Sequence, residues 1–120
     1  MTSRCVVLCS TDDDFLAMTT RLLSALALVV WARTPEEAVE TSDRMGPDVV
    51  VLDCGGGFEV PRDAGALKDR ARPPHVVALL TNGLRDAGVA DAALPRWQAP
   101  ATLPWIVRRL FGDHGVRALQ

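Results

Sequence analysis

Asp53 and the run of acids at Asp12, Asp13 and Asp14 are the residues of this chain best placed by type and spacing to do chemistry. Asp53 closes an unbroken apolar, β-branched run within PDVVVLDCGGG (47–57), which suits a central strand buried on both faces of a parallel sheet. Cys54 and three glycines follow, so the chain turns away where side chains are nearly absent. That leaves Asp53 presented at a carboxyl end, where open α/β sheets place their sites. A strand-end acid that merely faces water is the plain alternative. Clustered carboxylates with oxygen neighbours suit a hard cation such as Mg2+, which removes the cost of ionising them side by side. One ion shared by Asp53 and either Asp12 or Asp13 requires carboxylates roughly 4 to 8 Å apart.

The rest of the composition narrows the function classes. The 120 residues fit one domain, 1–120, with an ordinary hydrophobic core. Formal net charge is -2 and the charges are interspersed, which gives no support to a nucleic-acid surface or a membrane-binding face. The three cysteines are an odd number. Cys5 and Cys9 point the same way along one strand but too far apart to bridge, as reduced thiols of a cytoplasmic protein do. No apolar run approaches the length of a membrane span, and the N-terminus lacks the pattern of a secretion signal.

The elements that must position Asp53 alternate between strand and helix patterns. Arg4 to Cys9 reads as a first strand, followed by Ser10 and Thr11 as cap candidates and a helix from about Asp13 to Leu26. Leu28 to Ala32 is a second strand. A second helix starts from Thr34 with Pro35, Glu36 and Glu37 and stops near Met45 at Gly46 and Pro47. After the central strand a polar helix is expected over Arg62 to Arg72, then a strand from His75 to Leu80. Asn82 to Asp91 leaves room for one or two helical turns, so the fourth helix is expected to be short or missing. Ala92 to Arg96 reads as a fifth strand, Thr102 to Phe111 as a last helix, and Gly112 to Gln120 as a frayed tail. Five such units imply a flavodoxin-like α/β fold: a doubly wound, five-stranded parallel sheet of order 2-1-3-4-5.

In that order the switch point lies between the first and third strands, so Ser10, Thr11, Asp12, Asp13 and Asp53 line one acidic crevice. A Ser/Thr loop can hold a flavin phosphate, but three adjacent aspartates repel one. His75 and His114 lack metal-ligand spacing, and Ser10 lacks the glycine-flanked elbow of a nucleophile. Trp97 and Trp105 flank the short fourth-helix region, where an uncovered patch would suit a partner or a homodimer.

The acids after the first strand, PDVVVLD ending the third, Thr81 ending the fourth and AGVADAALPRW before the last helix together resemble the receiver domain of bacterial response regulators. The resemblance covers nearly the whole chain. It implies a signalling module rather than an enzyme, with Asp53 as acceptor of a phosphoryl group from a histidine kinase. It further implies Mg2+ held by Asp12, Asp13, Asp53 and the backbone of Gly55, and a switch through Thr81 and a strand-five cation.

The departures mark an atypical receiver. Counting back from Leu28 puts Ser10 and Thr11 in the place of the family's acid pair. The strand-five lysine position falls on Pro95 or Arg96, and arginine is not a like-for-like replacement. The loop after Asp53 reads CysGlyGlyGly, without the family's proline. Two readings therefore stand: a phosphoacceptor, or a phosphorylation-independent module that binds a protein partner or a small ligand.

Overall fold

The structure is a computed structural model that describes residues 4–55, 58–81 and 90–119. Five strands form one parallel sheet: β1 (Cys5–Cys9), β2 (Leu28–Ala32), β3 (Val49–Asp53), β4 (His75–Leu80) and β5 (Ala92–Pro95). Their order is β2-β1-β3-β4-β5. β3 is central and completely buried. The expected fold class and strand order are thus observed. The expected short or missing fourth helix falls on residues 82–89, outside the described residues.

Four α-helices are described: α1 (Asp13–Leu23), α2 (Pro35–Met45), α3 (Gly65–Lys68) and α4 (Ala99–Leu119). Their boundaries follow from local chemistry. Asp12 caps α1 by accepting from the Phe15 N–H at 3.1 Å, and Thr34 caps α2 by accepting from the Glu37 N–H at 3.1 Å. Gly46 ends α2 with φ at 56°, a left-handed conformation that favours glycine, and its N–H donates to the Ser42 carbonyl.

Three expected helices differ from those observed, the first of them α1, which ends at Leu23 with Ser24 as its cap and not near Leu26. The expected helix over 62–72 is a π-helical turn, Val60–Ala64, followed by the short α3. Its buried residues Val60, Ala64 and Leu67 make a stripe of only two turns. Of the residues that follow, Asp69 to Arg72, only Ala71 is apolar, and it is exposed. The last helix starts three residues before Thr102, and the tail expected to fray is helical to Leu119. Pro100 lies in its first turn, whereas Pro104 falls inside and cannot donate to the Pro100 carbonyl. The buried row Ala99, Leu103, Val107 and Phe111, spaced by four, holds this helix to the sheet.

Strand alternation divides the core in two. Val6, Leu8, Val49, Val51, Val77, Leu79 and Leu94 face α1 and α4, where they meet Phe15, Leu16, Leu23, Leu103 and Phe111. Val7, Val50, Leu52, Val76 and Ala78 face the other layer, with Ala38, Phe58, Ala64 and Leu67. No helix among the described residues is long and apolar enough to cross a membrane.

Candidate functional site

The period of two along each strand sets which side chains can meet at the carboxyl end of the sheet. Val6 and Leu8 lead to Ser10, Val49 and Val51 to Asp53, Val77 and Leu79 to Thr81, and Leu94 to Arg96. All of the buried members of these rows belong to the α1/α4 layer. Ser10, Asp53, Thr81 and Arg96 therefore continue one face of the sheet, beside the start of α1. Parallel register aligns them further, since Cys9 pairs with Leu52, Asp53 with Leu79, and Leu80 with Pro95.

Asp53 is fully buried, and both of its oxygens are engaged. The Ser10 hydroxyl donates to Oδ2 at 2.7 Å, and the Arg96 Nε–H donates to Oδ1 at 2.9 Å. The Gly55 N–H also points at Oδ1, at a longer 3.4 Å. Arg96 reaches on to Asp12, its Nη2 donating to Oδ2 at 2.8 Å. The other oxygen of Asp12 accepts from the Phe15 N–H as the α1 cap, and the Asp12 N–H donates to Ser10 Oγ at 3.0 Å. The Arg96 guanidinium lies 4.8 Å from the centroid of the Phe15 ring, a cation–π contact. One arginine from the end of β5 thus ties the start of α1 to the end of β3.

The remaining expected site residues are placed less centrally. Asp13 is turned outward to Arg33, 2.6 Å away, with its side chain 71% exposed. Thr81 is exposed just beyond β4 and approaches the turn after Asp53 so closely that a Cβ on Gly55 would lie 2.7 Å from Thr81 Cγ2. Gly55→Ala is therefore expected to lose about 1 to 2 kcal/mol. Thr81→Ser, which lacks Cγ2, should restore most of that loss. Urea unfolding of the two single variants, the double variant and wild type checks this, and additive losses would show that the two residues do not touch.

Protonation follows the same contacts. The Phe15 N–H and then Arg96 hold the Asp12 carboxyl below its ordinary value, while Arg96 is raised, first by its bond to Asp53. A depressed carboxyl contributes stability that is fully present above its unfolded value, about 3.9, and is lost as pH falls through the folded value. The stability difference between wild type and Asp12→Asn should therefore be constant from neutral pH to about 4 and shrink below it. Asparagine still caps a helix, so acid unfolding curves of the two proteins isolate the charge. Burial, and next the Asp53 charge, pushes the neighbouring Cys54 thiol up to about 11, so it is no nucleophile at neutral pH.

The fit of Mg2+ to these residues can be judged from their donors. Each oxygen of Asp12 and Asp53 already accepts a hydrogen bond, and the Arg96 guanidinium lies between the two carboxylates. Asp13 faces Arg33 instead. Among the described residues no group of three His, Cys, Asp or Glu side chains is arranged to hold a metal ion. As placed, the residues do not fit the ion.

The sequence singled out Asp53, Asp12, Thr81 and Arg96 as candidates but gave no sign of the bond between Arg96 and Asp12, which are 84 residues apart. Nor did it mark Phe15 as the floor beneath Arg96. Ser10, Asp53, Thr81 and Arg96 each lie two residues beyond a side chain buried in the α1/α4 layer, a facing that the unbroken apolar runs do not mark in sequence.

No family model and no curated protein matches the chain in sequence. Solved structures do match in fold. A chemotaxis response regulator of Vibrio cholerae superposes with a TM-score of 0.78 at 18% identity, covering 91% of this chain and 99% of that one. The signal receiver domain of an HD domain-containing protein from Pseudomonas fluorescens gives 0.81 at 16% identity, covering 98% and 94%. The BeF3-activated receiver domain of DrrB gives 0.73 at 19% identity, covering 92% and 98%. TM-scores of this size over nearly the full length of both chains lead to one conclusion: the chain has the fold of response regulator receiver domains.

Proposed function

We propose that this chain is a signal-transduction receiver module of a response regulator, in which Asp53 accepts a phosphoryl group from the phosphohistidine of a histidine kinase. The observation that carries this reading is the placement of Asp53 at the carboxyl end of the central strand, between the Ser10 hydroxyl and the Arg96 guanidinium. In the transfer, an Asp53 oxygen attacks phosphorus in line as the P–N bond breaks, and the electron pair leaves on the imidazole nitrogen. Arg96 is the cation beside the developing charge, and the Thr81 hydroxyl lies beside the turn that carries Gly55. The likeness to a BeF3-activated receiver supports the reading at the level of fold.

A second reading, a phosphorylation-independent module acting through surface contacts, is favoured by one specific observation. Asp53 is 0% exposed with both oxygens bonded, so Ser10 or Arg96 must let go before any attack. Trp97 and Trp105, 78% and 58% exposed, then offer a contact surface for a signalling partner or a second copy.

Incubation with acetyl phosphate or a kinase, followed by intact mass spectrometry and a test of acid and base lability, separates the two. The first reading expects one phosphoryl group on wild type and none on Asp53→Asn. An unmodified wild type with partner binding intact in Asp53→Asn and Asp53→Ala would leave the second.

A further inference from the structure

We infer that the Arg96 guanidinium is the resident cation of this site, standing in place of a divalent metal, so that the unmodified domain holds its conformation without Mg2+. The inference rests on the reading of Asp53 as the centre of the site, but it does not depend on whether Asp53 is phosphorylated.

Geometry carries it. A guanidinium presents donors along fixed directions in one plane, and here two of them are spent on two different carboxylates, at 2.9 Å on Asp53 and 2.8 Å on Asp12. Mg2+ needs several oxygens turned toward one point at near-octahedral angles. The oxygens that could supply them are turned instead toward donors: Asp53 Oδ2 toward Ser10, Asp12 Oδ1 toward the Phe15 N–H.

Charge gives the same answer. Asp12 and Asp53 bring two negative charges and Arg96 one positive. A divalent ion added between the carboxylates would lie against the guanidinium, and like charges a few ångströms apart repel. Arg96 is also held from below by the Phe15 ring and is only about one-third exposed, so its withdrawal would give up the ring contact and leave Asp53 buried without its partner. The third acid of the expected metal set, Asp13, is engaged by Arg33 on the outer surface. Arg96 thus performs two tasks: it neutralises Asp53, and it clasps α1 to β3 through Asp12.

The test uses MgCl2 alone, without phosphodonor, on the whole chain. Amide chemical shifts and Tm are followed at constant ionic strength for wild type and Arg96→Gln. In wild type, the amides of Ser10 to Asp13 and Asp53 to Gly55 are expected to show no saturable shift, with Tm unchanged. In Arg96→Gln, which removes the competing cation, the same amides should shift saturably and Tm should rise with the ion. Should that variant fail to fold without the ion, MgCl2 is expected to restore its dispersed amide spectrum, and a spectrum that stays collapsed would overturn the inference. Saturable Mg2+ binding by wild type would overturn the inference. A flat titration of the folded variant would overturn it too, since something other than Arg96 would then exclude the ion. Failure of phosphorylation leaves both titrations unaffected, so the two readings fail separately.

Discussion

Arg96→Ala is expected to lower the stability of the domain by about 3 kcal/mol, at the low end for breaking a buried ion pair because the guanidinium is partly open to water. For a chain of this length that is a fall in Tm of about 10 °C. The loss comes less from the missing attraction than from leaving the fully buried Asp53 carboxylate with only the Ser10 hydroxyl and a long contact to Gly55. Removing that charge as well should therefore recover stability. In the Asp53→Asn background the same Arg96→Ala change is expected to cost about 1 kcal/mol, so that a double-mutant cycle gives a coupling of about 2 kcal/mol. Equal losses in both backgrounds would mean that the arginine stabilises through Phe15 and Asp12 without Asp53.

Leu103→Ala should cost as much, about 3 kcal/mol, by an unrelated route. Leu103 is completely buried in the layer between α4 and the sheet, and its truncation leaves a cavity lined by strand and helix side chains that are fixed in place. Because it bears no charge relation to the site, its cost should be the same with Asp53 or Asn at position 53. Chemical denaturation of the six proteins, wild type, Asp53→Asn and each of the two alanine variants in both backgrounds, measures both effects. The contrast separates an electrostatic clasp from general loss of the core that carries it.

The parts of the fold that were legible in the sequence are those in which local chemistry and burial agree. β4 fills the stretch between Pro74 and Thr81, and β2 ends where its apolar run meets Arg33. α2 was legible from its cap, its proline and Gly46. α3 was not, because a run of helix-compatible polar residues carries no stripe to bury beyond Leu67, and tertiary packing rather than propensity sets its length. The start of α4 was missed by three residues because Ala99 and Pro100 read as loop although Ala99 belongs to the buried row.

The candidate site was half legible for a related reason. Asp53 announces itself by closing an apolar strand before glycines. The acids after β1 are ambiguous, because a first-turn aspartate can cap a helix, bind an ion or pair with a base, and only the tertiary fold decides among them. Here Asp12 caps and pairs while Asp13 turns outward. Arg96 looked like an imperfect lysine; its reach across two carboxylates depends on the depth of Asp53 and on Phe15 beneath it, neither of which is written in local sequence.

The most direct measurement of the bond between Arg96 and Asp53 is hydrogen exchange of the Arg96 Nε–H, observed by 15N NMR of the whole chain near neutral pH. The Nε–H is expected to give a distinct signal that exchanges more slowly than those of exposed arginines, and to lose that protection in Asp53→Ala. Exchange as fast as that of the exposed arginines in wild type, or protection unchanged in Asp53→Ala, would contradict the account.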